Sequence, residues 1–117
     1  MQAHVEIFIG PMGSGKTTHL QTRVAEHRIS GRKVGVVKHS RDTRWHAQDC
    51  LQTHDNKRTP ADLRATTAKE VTNYALRESL DVVVIDEGQF FRDIAEEADH
   101  MASVGITVII AALDSNL

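Results

Sequence analysis

Val5-Glu6-Ile7-Phe8-Ile9-Gly10-Pro11-Met12-Gly13-Ser14-Gly15-Lys16-Thr17 is the stretch from which the rest of the chain can be read. Val5 to Ile9 is short, β-branched and aromatic, and it stops at Gly10-Pro11, so it predicts a strand that ends in a turn. From Lys16 the period becomes helical: Leu20, Val24, His27 and Ile29 fall roughly on one face, and Ser30-Gly31 supplies a stop. Between strand and helix, Gly10 to Thr17 fits G-x-x-x-x-G-K-[ST] at every fixed position. Glycines let backbone N–H groups converge on phosphate oxygens with no Cβ in the way, and the helix N-terminus adds a favourable dipole. In this pattern Lys16 reaches the β- and γ-phosphates and the Thr17 hydroxyl binds Mg²⁺. The plainer alternative is a glycine-rich turn with an exposed lysine, and the strand-to-helix context weighs against it.

Working outward, Val34-Gly35-Val36-Val37 predicts a second strand with both faces apolar, as expected when helices cover each side of a sheet. His39 to Pro60 is polar without a sustained period and predicts a long loop. Ala61 to Thr66 suits a weak strand. Thr67-Ala68-Lys69-Glu70 has the spacing of a capping box and opens a helix through Val71, Tyr74, Ala75 and Leu76, with Tyr74 towards the core and the end near Glu78. Asp81 to Ile85 is the clearest strand, leading into Asp86-Glu87-Gly88. A further helix runs from about Asp93 through Ala98 and Met101 to Gly105, and Ile106 to Ala112 predicts the last strand. Strands alternate with helices, so the fold class is α/β with a mostly parallel sheet flanked by helices.

The 117 residues fall below the ~150 of an average domain, which predicts one domain over residues 1–117. Apolar residues at 40% suffice for a modest core. Fourteen Lys and Arg against sixteen Asp and Glu give a net charge of −2, which argues against a general nucleic-acid binder or a membrane-surface protein. The single cysteine, Cys50, excludes an intrachain disulfide and a four-cysteine zinc site, and a cytoplasmic setting is expected. Met1 to His4 carries no basic region of a signal peptide, and Ile106 to Leu113, the longest apolar run, is far short of the ~20 residues of a membrane span.

Ligands of parallel sheets bind beyond the carboxyl ends of the strands, so Asp86-Glu87 and the phosphate loop are expected to share one crevice. There Asp86 suits a Mg²⁺-side carboxylate and Glu87 can accept a proton from an attacking hydroxyl; standing alone, the pair would read equally well as a helix N-cap. Weaker signals lie in the polar stretch. His46, Cys50 and His54 are spaced by four, which on a helix would align them for zinc, although ordinary polar loop residues account for them more simply. Trp45 would stack on a nucleotide or, more simply, pack over the loop. Lys57-Arg58, flanked by Asp55 and Asp62, reads as solvated surface.

Five segments then appear in one order: Gly10 to Thr18 (GPMGSGKTT), Lys38 to Arg44 (KHSRDTR), Thr53-His54-Asp55, Ile85 to Phe91 (IDEGQFF) and Ala111 to Asp114 (AALD). With them the chain resembles the cytosolic-type thymidine kinases over essentially its whole length, and IDEGQFF is far more specific than a phosphate loop. The resemblance implies a phosphate-loop NTPase-type fold, ATP and Mg²⁺ as cofactors, and transfer of the ATP γ-phosphate to the 5′-hydroxyl of thymidine or a related deoxynucleoside. It implies Glu87 as general base acting with Lys16, Thr17 as a Mg²⁺ ligand and Asp86 as a metal-side carboxylate. Gly10, Pro11, Met12, Gly13, Ser14, Gly15 and Thr18 complete the implied phosphate loop. Asp42 and Arg44 match a DxR element close to metal and phosphates, Gln89 joins the implied nucleotide-binding set, and Met12 and Phe90 match positions lining the base pocket. The resemblance further implies a homo-oligomer, a tetramer in the family.

Two departures shape the expectations. Gly13 stands where the family usually has phenylalanine. After AALD the family continues with a further nucleoside-pocket segment, a zinc-binding lobe and a lasso-like loop, whereas only Ser115-Asn116-Leu117 follow Asp114 here. The expectation is an ATP half that is present and a nucleoside half that is largely absent, with Val108-Ile109-Ile110 short of helical cover and apolar surface left for association. Beside a thymidine kinase or a fragment of one stand two alternatives: an ATP- and Mg²⁺-binding remnant or subunit of a larger assembly, and a different phosphate-loop NTPase.

Overall fold

Runs such as Val82-Val83-Val84-Ile85 have no polar side to turn to water, so their strands need cover on both faces. The computed structural model of the chain, which describes residues 2–11, 15–41, 50–52 and 58–113, meets that demand with three helices on one sheet. Along the chain run β1 (Val5–Ile9), α1 (Lys16–Ile29), β2 (Val34–His39), β3 (Cys50–Gln52), β4 (Arg58–Pro60), β5 (Leu63–Ala65), α2 (Ala68–Arg77), β6 (Val82–Ile85), a 3-10 turn (Gly88–Phe90), α3 (Ile94–Ser103) and β7 (Thr107–Ala112). Five strands form an all-parallel sheet in the order β1-β7-β6-β2-β5, while β3 and β4 pair antiparallel in a separate ribbon. Leu20 and Val24 of α1 pack with Val36, Val84 and Ile109 on one face. Val71 and Ala75 of α2 and Ile94 and Met101 of α3 pack with Val37, Ile85 and Val108 on the other.

Local chemistry sets the helix ends. The Thr67 hydroxyl accepts the Glu70 N–H at 3.2 Å, as the capping-box spacing predicts. Asp93 adds what the sequence does not advertise: it precedes α3, yet its carboxylate accepts the Ala68 and Lys69 N–H groups at 2.8 and 3.0 Å and so caps α2 from another element. On the first face, Arg23 of α1 grips the Glu6 carboxylate of β1 through Nη2 at 2.5 Å and Nε at 3.1 Å.

Several expectations need correction. The stretch from His39 to Pro60 is not all loop, because β2 extends through His39 and the ribbon of β3 and β4 lies within it; three-residue strands are too short to show a period. Cys50 begins a strand, so it is not on the helix that would align it with His46 and His54, which lie outside the described residues. Ile29 is 87% exposed, since two residues past the buried His27 carry it about 200° around the helix. Leu76, one residue past buried Ala75, is likewise half exposed. β7 does not lack cover: the last strand inserts between β1 and β6 and is buried along its whole length under α1 and α3. Within the sheet the exposed apolar surface falls on β1, where half-exposed Ile7 and Ile9 border a shallow groove with Ile94, Ala98 and Ile110. Tyr74 packs half-buried against the core as read, and no helix among the described residues is long and apolar enough to cross a membrane.

His27 is the buried polar group that costs most. Its Nδ1 lies 3.2 Å from Arg32 Nη1, and Nε2 is buried without a hydrogen-bond partner among the described residues. Burial, followed by the charges of Arg23 and Arg32, pushes its pKa below the ordinary value of ~6.5. The unfolded chain therefore binds this proton more readily than the native one, so the contribution of His27 to stability is fullest above about pH 6.5 and declines as pH falls towards the lowered native value. His4, raised by its hydrogen bond to Glu6, works in the opposite sense but is exposed and screened. Between pH 7 and 5 the denaturation midpoint is expected to fall less steeply in His27→Leu than in the wild type; parallel curves would contradict this account.

Candidate active site

Parallel strands all finish at the same side of the sheet, and the polar residues follow those ends. Beyond β1, Gly10 N donates to Ala112 O at 3.2 Å, which ties the start of the phosphate loop to β7. Gly15 takes φ +86, ψ +11 just before α1, a left-handed conformation open to glycine at little cost, and no side chain caps that end of α1 among the described residues. No acidic residue occupies the first turn of α1 either, so its dipole favours an anion there. Lys16 folds back over the loop, donating from Nζ to Gly10 O at 2.6 Å and Pro11 O at 3.0 Å. Thr17 is half-buried beside it and Thr18 is exposed. Met12, Gly13, Ser14, Asp42 and Arg44 lie outside the described residues, as does Trp45.

Beyond β6, Asp86 and Glu87 are 4% and 3% exposed. Asp86 Oδ1 accepts the Glu87 N–H at 3.0 Å, and Glu87 adopts φ +54, ψ +50, which is unusual for a residue with a Cβ. The pair is thus no side-chain N-cap of a regular helix; it makes a sharp turn that hands the chain to Gly88–Phe90. Gly88 lets that turn close on β7, since a Cβ there would stand 2.4 Å from Ile110 Cγ2. Gln89 donates from Nε2 to Glu87 Oε2, while its Oε1 accepts the Leu113 N–H at 3.1 Å. A single side chain thereby links the carboxylate after β6 to the backbone after β7.

Beyond β2 stand two residues, Lys38 and His39, to which the sequence reading gave no individual role. His39 is buried, donates from Nε2 to Thr66 O at 2.9 Å and accepts the Arg41 N–H on Nδ1 at 2.8 Å, a pairing that assigns the neutral tautomer with the proton on Nε2. Its ring meets Phe91 at 4.6 Å edge-on and Phe90 at 5.6 Å, which sets the half-buried Phe90 at the rim of a cavity of about 500 Å³ lined also by Arg41, Thr66, Thr67, Arg92 and Asp93. Lys38 is fully buried. Both residues sit at the carboxyl end of a predicted strand, and that position was the signal that could have found them.

The structure brings Gly10, Pro11, Gly15, Lys16, Thr17, Thr18, Asp86, Glu87, Gln89 and Phe90 to one edge of the sheet. The donor set fits the group the motif implies: helix N-terminal N–H groups and a lysine for phosphates, and hard carboxylate and hydroxyl oxygens for Mg²⁺.

A family model described as thymidine kinase matches residues 3–117 of the chain. The chain belongs to the thymidine kinase family. It is 42% identical over 113 residues to the cytosolic thymidine kinase of Homo sapiens, which covers 97% of this chain and 46% of that protein. It is 39% identical over 112 residues to the thymidine kinase of sheeppox virus, covering 96% of this chain and 60% of the viral protein. The chain thus spans about half the length of the curated relatives it matches. The X-ray structure of the Legionella pneumophila ATPase DotB superposes with a TM-score of 0.63 over all of this chain and 32% of that one, at 19% identity, which shows a shared α/β fold. In this thymidine kinase family member the turn after β6 rests on Gly88. Gly88→Ala is expected to lower unfolding stability by about 1–3 kcal/mol through overpacking against Ile110, and by less in an Ile110→Ala background; equal losses in the two backgrounds, measured by denaturant titration, would remove the contact from the explanation.

Proposed function

We propose that this chain carries the phosphate-binding and catalytic part of an ATP-dependent thymidine kinase, transferring the γ-phosphate of ATP to the 5′-hydroxyl of thymidine or a related deoxynucleoside. The observation that carries this reading is the buried Asp86-Glu87 pair on the same sheet edge as Lys16 and the start of α1. Lys16, with the leading N–H groups of α1, holds the β- and γ-phosphates. Thr17 and Asp86 would hold Mg²⁺, which would neutralise charge on the phosphate oxygens. Glu87 takes the proton of the attacking 5′-hydroxyl as the new O–P bond forms; the bond from γ-phosphorus to the bridging oxygen breaks, and ADP leaves with that electron pair. Gln89 restrains one Glu87 oxygen, so the base is oriented before substrate arrives. Phe90, Asp42, Arg44 and Met12 complete the nucleoside and phosphate contacts on the strength of the family motifs. The reading includes a cytoplasmic enzyme that serves DNA synthesis as a homo-oligomer; the half-exposed Ile7 and Ile9 support association.

Glu87→Gln is nearly isosteric and cannot accept the proton. It is expected to reduce thymidine-dependent ADP release by at least about 100-fold, in line with the size of general-base effects, while leaving ATP affinity within about twofold. Full turnover by the variant would remove Glu87 as the base, and ATP hydrolysis by the wild type without any nucleoside would favour a different phosphate-loop NTPase.

A further inference from the structure

The seam between β2 and β5 is closed at its carboxyl end by polar contacts as well as by backbone pairing. His39 pairs in register with Ala65, and the Ser40 N–H donates to Ala65 O at 2.8 Å. The hydroxyls of Ser40 and Thr66 lie 3.1 Å apart. At the centre stands the His39 imidazole, 3% exposed. Its Nε2 donates to Thr66 O at 2.9 Å and its Nδ1 accepts the Arg41 N–H at 2.8 Å, so one neutral tautomer satisfies both nitrogens. Bonds on two sides of the ring hold its plane, and the phosphoryl transfer described above gives this buried histidine no proton to carry.

The rest of the ring touches aromatic groups. Phe91, itself fully buried, meets it at 4.6 Å between centroids and 74° between planes, and Phe90 meets it at 5.6 Å and 48°. Strand alternation explains the encounter: His39 follows Val37 by two residues and falls on the α2–α3 face, where Phe91 shares a core with Val37. The two phenylalanines differ in how they are held. Phe91 is locked into that core, whereas Phe90 is half-buried at the end of the three-residue turn that follows Glu87. The Phe90 N–H bonds to Glu87 O at 3.1 Å, which fixes the backbone of so short a turn and leaves the direction of the ring to its neighbours. Among the described residues, the aromatic neighbour in contact with Phe90 is His39.

We propose that His39 is a positioning residue for the nucleoside: anchored at both nitrogens, its ring sets the direction of Phe90 and so the affinity for thymidine, leaving phosphate binding untouched. This rests on the phosphoryl-transfer reading above, in which Phe90 makes nucleoside contacts. Gln89 orients the base within the turn after β6, and His39, from another strand, orients the ring that ends it.

The test titrates the full chain with thymidine and, separately, with the non-hydrolysable ATP analogue AMP-PNP and Mg²⁺ by calorimetry, and follows the ring resonances of Phe90 by NMR. His39→Gln keeps a donor for Thr66 O and removes the ring. It is expected to weaken thymidine binding by about 10-fold, to shift the Phe90 resonances before any ligand is added, and to leave AMP-PNP affinity within about twofold. His39→Phe, which keeps a ring and loses both bonds, is expected to hold thymidine affinity within about threefold of the wild type, the remainder being the share of the anchoring bonds. His39→Asn, which keeps an acceptor for the Arg41 N–H, is held to the same expectation as His39→Gln should that variant fail to fold. Unchanged thymidine affinity in a variant without the ring overturns the proposal. So does an equal loss in His39→Phe, which would make the bonds to Arg41 and Thr66 the whole role, and so does a matching loss of AMP-PNP affinity, which would mark a general disruption of the sheet edge. A wild-type chain that binds AMP-PNP but no thymidine overturns the nucleoside reading, and this proposal with it; that failure shows in the wild type, whereas failure of the proposal alone shows only in the variants.

Discussion

A parallel strand cannot return to its neighbour through a tight turn; the chain must cross over and begin again at the same end. This constraint organises the whole molecule. Each of β1, β2, β5, β6 and β7 leaves the sheet at one edge, so whatever follows a strand is delivered to the same place. The phosphate loop, His39 and Arg41, Thr66 and Thr67, the Asp86-Glu87 turn and Leu113 are remote in sequence and adjacent in space for that reason. The opposite edge receives the starts of the strands and carries the plainer chemistry, such as the Lys33 N–H bonded to the Asp81 carboxylate at 2.7 Å.

Within that edge, the turn after β6 concentrates the strain. Glu87 holds a left-handed backbone at a cost of order 1–3 kcal/mol for a residue with a Cβ, and it persists because its surroundings over-determine it. Asp86 holds its N–H, Gln89 holds its carboxylate, and Gly88 admits the close approach of β7. The reward for this arrangement is direction: a carboxylate at the end of a regular strand would alternate to one sheet face or the other, whereas the reversed backbone takes Glu87 out of that alternation.

Much of this was legible in the sequence because it follows from local rules. Val5 to Ile9, Val82 to Ile85 and the glycine-rich turn into α1 announce a parallel sheet, and Thr67 to Glu70 announces α2 by its cap alone. What could not be read depends on pairing between distant segments. β7 follows β6 by one crossover, yet its place between β6 and β1 is a matter of sheet order, and from that order comes its complete burial. The caps supplied by Asp93, the bridge made by Gln89 and the burial of Lys38 likewise require partners 24 to 25 residues away or on another strand. A three-residue ribbon such as β3 and β4 has too few side chains to display a period at all.

The union of the first strand with the last has a temporal side. Val5 to Ile9 finds its partner only in Val108 to Ala112, and the phosphate loop is tethered at Gly10 to Ala112. During synthesis on the ribosome the loop leaves early but has nothing to be anchored to until some hundred further residues have followed. The β2–β6 pairing joins segments much closer in the chain and can form first. The tether between Gly10 and Ala112 therefore forms late and all at once, so a nascent or prematurely released chain ending before β7 can carry the entire glycine-rich motif and still lack the strand that anchors it.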